Sequence, residues 1–558
     1  MSLRNRLVLS VVLSTLALLV GCGSSTNKAV APPSGGFSDS DLTGTYVFSF
    51  VGADVTDSEA TGTASILAAA GTLTANGTGG LTGTIDLDDP QLATVENAAT
   101  FVQTGLSASG GYKITADGRG SGTIQVTVNN QGVTIGIDFV LMTDSHGLIT
   151  RFDGNGTGSG TLDLQSGSIA QSQLASYAFS LSGVDSSLSN PFTTAGAFTL
   201  DSNGNITTGV EDFNDNRNVN GLTNLSLTSG SVVLGAAGAA GTAQLAATGS
   251  PFGDLTFDVW PIDSTHLKLI ETDGFAILAG DAFTQQTTIP SGQLVYTMAG
   301  LDDGGDLLSA GGFMAYDGSS VISNGTEDIN DDGSVGQSLT VSGNLTATGG
   351  GRYALSIAGF YDGNGGAGSY TFAAYPYVTS GNVVGLLVME ADGFGVTGGT
   401  AFLQTAQTFE SAQGYGLNLT GSNTNGEVDA IAEFTANSGG ALTNGLIDEN
   451  DEGSTLFDQA LGTGGTYTFD PGNTGRGELS YPSTDTTFNG ALDLVFYVAN
   501  SSTVIFIEED EGQASVGTFE LQTGGGAKAA QSKAALSTTA SHFSTLRAVA
   551  AARAQRKK

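Results

Sequence analysis

Cysteine is nearly absent from this 558-residue chain, where Cys22 stands alone. A disulfide within the chain is therefore excluded, and with it the small disulfide-stapled folds. Histidines number three, His146, His266 and His542, far apart along the sequence. With no HExxH and no cysteine pair, a zinc centre has no ligand set. No Gly-x-Ser-x-Gly elbow and no glycine-rich phosphate loop ending in Lys-Ser/Thr is present, which removes the commonest hydrolase and nucleotide signatures. Tryptophan occurs once, at Trp260, which weakens a sugar-stacking role, although Tyr375 and Tyr377 supply other aromatic surface. Together these absences argue against an enzyme and against a required cofactor.

Bases are also scarce. Lys plus Arg number 17 against 54 Asp plus Glu. Three bases fall in residues 1–28 and seven in residues 524–558, neither of which contains an acid, so the body carries seven bases against all 54 acids. Such a body repels nucleic acid and offers no groove for phosphate.

What the chain does have is glycine, 84 residues of it, and 39% apolar residues that alternate with polar ones. It also has a period. Asp153/Gly160/Gln165, Asp273/Gly280/Gln285, Asp392/Gly399/Gln404 and Asp510/Gly517/Gln522 repeat one spacing, with the Asp residues 120, 119 and 118 apart. A unit of about 118 residues is large enough to bury its own core, unlike a solenoid repeat. Within the second unit Tyr177, Phe179 and Leu181 alternate with small residues up to Gly183, which is the period of a half-buried strand. The same opening recurs at Tyr46/Phe48/Phe50, Leu294/Tyr296/Met298 and Tyr415/Leu417/Leu419. About eight short strands follow per unit, joined by Gly/Asn/Asp turns, with no convincing helix. The expected fold is all-β: four tandem antiparallel units, each an eight-stranded up-and-down barrel. An eight-bladed propeller and β-sandwiches are the alternatives.

The units look like the small barrels of the lipocalin and avidin type in strand count and aromatic first strand, a likeness of architecture that transfers no function. Expected boundaries are 42–166, 174–287, 290–406 and 409–524, with a basic Ala-rich tail at 525–558. That tail could form a short amphipathic helix lying on anionic lipid, or remain a solvated terminus.

At the N-terminus Arg4 and Arg6 precede the apolar run Leu7–Val20, whose 14 residues fit a signal-peptide core rather than a transmembrane helix. The run ends in Leu19-Val20-Gly21-Cys22, which resembles the bacterial lipobox. That resemblance implies cleavage after residue 21, acylation of Cys22 and a membrane anchor without a spanning helix. Gly23 in place of Asp leans toward the outer membrane within that family. Residues 22–41 read as a flexible tether. The whole chain is similar to Gly-rich tandem-repeat envelope lipoproteins of Gram-negative bacteria, and no activity comes with that likeness.

Two acidic features recur. The first comprises Asp86/Asp88/Asp89, Asp212/Asn214/Asp215, Asp328/Asn330/Asp331 and Asp448/Asn450/Asp451. In the third unit Asp328, Asn330 and Asp332, followed by Gly333, resemble the opening of an EF-hand or dockerin loop and would be oxygen ligands for Ca²⁺. Leu339 stands where the loop's bidentate Glu belongs, so hairpin turns remain the competing reading. The second feature is a carboxylate two residues before the signature Asp: Glu271, Glu390 and Glu508, with Arg151 in the first unit. These are either groups at a barrel mouth, with raised pKa, or plain solvated strand ends.

The functional expectation is a lipid-anchored envelope protein displaying four acidic β-domains as a binding, adhesive or structural array. A surface protein, a glycan or a small ligand would be its partner. Its rivals are a small-ligand carrier using the barrel interiors and a calcium-stabilised surface stalk.

Overall fold

The computed structural model describes residues 36–524 apart from 56–64, 90–101, 129, 186–190, 216–221, 237, 303–304, 362–366, 380, 394, 424–425, 484–489 and 511. Cys22, most of the tether and the basic tail lie outside the described residues. Strands run Thr43–Asp54 to Gly156–Leu164 in the first unit and Ser176–Asp185 to Ala276–Thr284 in the second. They run Gly292–Leu301 to Val396–Leu403 in the third and Gln413–Asn423 to Gln513–Leu521 in the fourth. Each of the first three units is a closed eight-stranded antiparallel barrel. This settles the choice against propeller blades and sandwiches.

The fourth unit departs from the expected strand count. Its fourth strand is split into two short strands, Ser454–Ala460 and Thr466–Phe469, giving nine strands in an open ladder. In the third barrel one long strand, Ser334–Gly349, pairs with strand three through its first half and with strand five through its second. In the fourth unit the glycines at 462, 464 and 465 interrupt that strand, so Ser454–Ala460 keeps only the first partner and Thr466–Phe469 only the second. Single bridges, Leu461–Ser483 and Ala441–Thr466, hold the two edges together. Glycine weakens a strand interior because it orders at high entropic cost and packs no side chain.

Alternation in the first strands places Tyr46, Phe48 and Phe50 inside the first barrel and Tyr177, Phe179 and Leu181 inside the second. The third and fourth follow with Leu294, Tyr296 and Met298, and with Tyr415, Leu417 and Leu419. The third core is nearly filled. A cavity inside the third barrel, lined by residues including Tyr296, Met314 and Leu355, measures about 10 Å³, room for one water.

The signature Gly sits where each barrel closes. Gly160 pairs with Phe50, Gly280 with Leu181, Gly399 with Met298 and Gly517 with Leu419. A Cβ at these positions would overlap the carbonyl oxygen of Ser49, Ser180, Thr297 or Asn418. Only glycine lets strand eight lie that close to strand one. The signature Asp ties the hairpin between strands seven and eight to strand six: Asp153 accepts from the Gly136 amide at 2.9 Å and Asp273 from the Thr256 amide at 2.7 Å.

The barrels do not stand in a row. Strands one and two of each barrel pack on strands six to eight of the next, and those of the fourth pack on strands six to eight of the first. The body is therefore a closed ring with four head-to-tail seams of one orientation. Outward-facing residues of all four barrels, among them Val51, Trp260, Tyr375 and Tyr497, join one apolar cluster. Strand four, on the outside of the ring, keeps an alternating exposed pattern, as in Val102–Ile114. A stalk that gains reach from its repeats is excluded by this closure.

Candidate functional site

The acidic sets read as turns or a calcium loop lie on strand three and face the neighbouring barrel. Asp86 and Asp88 belong to Gly80–Asp88, and Asp212 and Asn214 to Ile206–Asn214. Asp328 and Asn330 belong to Val321–Asp331, and Asp448 and Asn450 to Leu442–Asp451. Strand periodicity explains the pairing: residues two apart share a face, here the outer one.

Each Asp is first held by its own barrel. Its carboxylate accepts the backbone N–H of Gly105, Asn224, Ser338 or Asp458, at 2.7 to 2.8 Å. All four donors have positive φ, at 64°, 58°, 54° and 49°, marking one repeated bulge at strand four. The other face of the carboxylate then meets the next barrel. Arg352 donates to Asp212 through Nε at 2.6 Å and Nη2 at 3.0 Å. Arg476 donates to Asp328 through Nε and Nη2, both at 2.8 Å. Arg119 closes the ring onto Asp448 at 2.8 Å. Tyr375 and Tyr497 add hydroxyl donors to Asp212 and Asp328. These pairs are buried, so bidentate geometry and the extra donors matter: they offset the cost of taking both charges out of water.

The Asn two residues on makes the second joint. Asn214 Nδ2 donates to the carbonyls of Glu390 and Gly395 at 3.1 and 2.9 Å. Asn330 serves the carbonyls of Glu508, Asp510 and Gln513 at 3.1, 3.0 and 2.6 Å. Asn450 serves Arg151, Asp153 and Gly156 at 3.1, 3.3 and 2.7 Å. Asp328, Asn330 and Asp332 therefore do not form a calcium loop. The first is held by an arginine, the second turns its amide nitrogen outward to carbonyls, and Asp332 is exposed in the following turn. Among the described residues no three acids, histidines or cysteines gather as a metal cage.

The signature Gln makes the third joint, a role its spacing did not reveal. Gln165 Nε2 donates to the Pro261 carbonyl at 2.8 Å, and Gln404 Nε2 to that of Val498 at 2.8 Å. Gln522 Nε2 donates to the carbonyls of Asp117 and Leu141 at 2.8 and 3.0 Å. Gln285 reaches Gly350 at 3.1 Å. Gln522 and Phe37 meet at Gly118, so the two ends of the described chain converge on the closing seam.

These joints fix the sense of the barrels. Asn450 touches the hairpin between strands seven and eight of its neighbour, whereas Gln522 touches the return between strands four and five. Hairpin ends meet hairpin ends and linker ends meet linker ends. The ring thus has a hairpin face, carrying the connections 1–2, 3–4, 5–6 and 7–8, and a linker face. Connections on the hairpin face run from two to 13 residues, the longest after strand three of the first barrel; those within barrels on the linker face run from two to seven.

Glu271, Glu390 and Glu508 are buried at the hairpin ends, not solvated. Burial, and then the nearby Asp273, pushes Glu271 up to about 11, while Glu390 and Glu508 are raised by burial and by Asp392 and Asp510. Glu271 accepts the amides of Asp273 and Phe275 at 3.0 and 3.2 Å, and Glu390 accepts the Thr397 amide and hydroxyl at 3.1 and 2.8 Å. They brace hairpins. Arg151 in the first barrel pairs instead with Asp54 and Asp153, each at 3.4 Å.

The arginine set was the functional signal that sequence reasoning passed over. Arg119, Arg352 and Arg476 are three of only seven bases in the body, and each follows a glycine at the start of strand five. That shared phase was available in the sequence.

No family model matches this chain and no curated protein matches it. Among solved structures it is similar to a double mutant of the vaccine antigen transferrin binding protein B from Haemophilus parasuis. That match has 10% identity, covers 69% of this chain and 82% of that one, and has a TM-score of 0.19. A single mutant of the same antigen matches at 10% identity over 68% and 83%, with a TM-score of 0.19. The intact N and C lobes of Ap-TbpB match at 11% identity over 68% and 84%, with a TM-score of 0.18. Scores this low carry no argument about what the ring does.

Proposed function

We propose that this chain is a lipid-anchored envelope protein that binds a macromolecular partner, a surface protein or a glycan, through the hairpin face of its ring. One observation carries the reading: a braced ring of barrels places its most unequal connections on a single face. Binding residues concentrate on loops that a rigid scaffold positions. Because the chain enters its first strand at the linker face, acyl chains on Cys22 would hold that face to the membrane and turn the hairpin face outward. In the third barrel a cavity near 10 Å³ admits no ligand larger than water, which disfavours a small-ligand carrier there.

The test joins anchor and orientation. Cells expressing the full chain are fed an alkynyl fatty acid, and single cysteines at Asn155 (hairpin face) or Ser264 (linker face) are probed with an impermeant maleimide. The expected result is acyl label that Cys22→Ser abolishes, with position 155 reacting faster than 264. Absence of acyl label on the wild-type chain, or faster reaction at 264, would overturn the proposal.

A further inference from the structure

Three seams share one chemistry and the fourth does not. Between the first and second barrels the arginine is missing. Arg476 lies across from Tyr497 and Arg119 across from Val140. The residue across from Trp260 is Ala240, which precedes the Gly241–Val259 pair. Ala240 thus stands at the arginine position, and Trp260, at the position of Tyr375 and Tyr497, donates through Nε1 to Asp86 at 2.7 Å. A neutral donor remains where the other seams also have a cation.

The asparagine is missing as well. Asp88 stands at the position of Asn214, Asn330 and Asn450, fully buried, and neither of its carboxyl oxygens has a hydrogen-bond partner among the described residues. By the repeat of the seams, the carbonyls that an amide would serve here are those of Glu271, Asp273 and Ala276. An ionised Asp88 presents only acceptors to acceptors. A protonated Asp88 presents an O–H where the other barrels present an N–H, and so reproduces the joint.

We propose that the seam between the first and second barrels is a pH-gated joint, closed while its carboxyls hold protons and loosened when they lose them. The groups facing it are Asp86, Asp88 and Asp89 from strand three and its end, Asp258 from strand six, Glu271 from strand seven and Asp273 from the following turn. The side chains that act on the charge of Asp88 are themselves acids, Asp89 and Asp273. Burial, and then Asp258, brings Asp86 up to about 7, although the Gly105 amide and the Trp260 indole oppose the rise. Burial holds Asp88 well above the usual carboxylate range. Both pKa values are raised on folding, so the stability they contribute is full below about pH 4 and is lost progressively as pH climbs from there through the folded values, the loss for Asp86 being complete once pH passes about 7. The seams with arginine have a fixed cation against the Asp and an amide in place of the second acid.

Trp260 is the chain's only tryptophan, so its fluorescence reports this seam alone. Emission and acrylamide quenching are followed on the full chain from pH 5 to 9, with far-UV circular dichroism at each point. The expected result is a reversible red shift and a several-fold rise in quenching between pH 6 and 8 while the β signal holds. Asp88→Asn, which copies the other seams, should shrink the change, and Asp86→Asn/Asp88→Asn should abolish it. A second reporter, Tyr497→Trp with Trp260→Tyr, watches an arginine seam and should change much less, because the Arg476 guanidinium and the Asn330 amide hold that seam. A flat wild-type profile, an unchanged profile in the double variant, or equal responses at both seams would each overturn the proposal.

Discussion

Truncating Arg476 should cost the ring far more than truncating a surface base. Arg476 makes two bonds of 2.8 Å to Asp328 and one of 2.5 Å to Asp470, and the side chains of Arg476 and Asp328 are 3% and 0% exposed. In Arg476→Ala, Asp328 keeps only the Ser338 amide and the Tyr497 hydroxyl, and its charge stays buried. Breaking a buried pair by removing one partner costs about 3–5 kcal/mol. That is roughly two to four orders of magnitude in the population of the closed seam. Lys113, whose side chain is 74% exposed, bonds Asp39 at 2.8 Å, and an exposed pair contributes about 0–1 kcal/mol. Urea titration read by circular dichroism, with Trp260 emission as a distant second probe, should therefore separate Arg476→Ala clearly from Lys113→Ala. Arg476→Met/Asp328→Leu should cost less than Arg476→Ala, because it leaves no orphaned charge. Equal losses for Arg476→Ala and Lys113→Ala, or a double variant worse than the single, would refute the claim that these pairs hold the seams.

Gly399→Ala should destabilise by about 1–3 kcal/mol, the range for overpacking, since a Cβ there would overlap the Thr297 carbonyl; thermal melting checks it against Gly439→Ala, where the added Cβ meets open space but φ is 102°. Burial raises Glu211, Glu433 and Asp138, each up to about 8. Their stability is full below about pH 4 and lost as pH rises through 8, so the melting temperature should fall from pH 5 to pH 9. Asn330→Ala should strand the carbonyls of Glu508, Asp510 and Gln513 and lower the melting temperature by several degrees. Because Arg476 already occupies Asp328, a chelator should leave the melting temperature unchanged.

The barrels were legible in the sequence because inward residues such as Tyr177, Phe179 and Leu181 announce one buried face by their spacing. The ring was not. Period two distinguishes two faces of a strand but does not say what the second one meets. Ser180, Thr194, Asp212 and Asn214 are polar and look solvated, yet all are buried against neighbours. The partners of Asp212 and Asn214 lie in another repeat, Arg352 for the first and the carbonyls of Glu390 and Gly395 for the second, so no local window contains both. Glu271 was ambiguous for a related reason: its strand parity pointed inward, while its charge and its place at a strand end argued for water. The split fourth strand is visible only as glycines at 462, 464 and 465, in a chain where glycine is common everywhere.

Head-to-tail closure also settles how many repeats the gene can carry. A string of independent beads can gain or lose one by unequal recombination and keep working. Here every barrel offers one socket and one plug, and the angle between them brings the fourth plug to the first socket. A three-copy chain would leave an Asp–Asn edge and an arginine edge bare, and a five-copy chain would have nowhere to seat its last unit. Copy number is thus a geometric quantity in this protein, protected from the drift that usually afflicts tandem repeats.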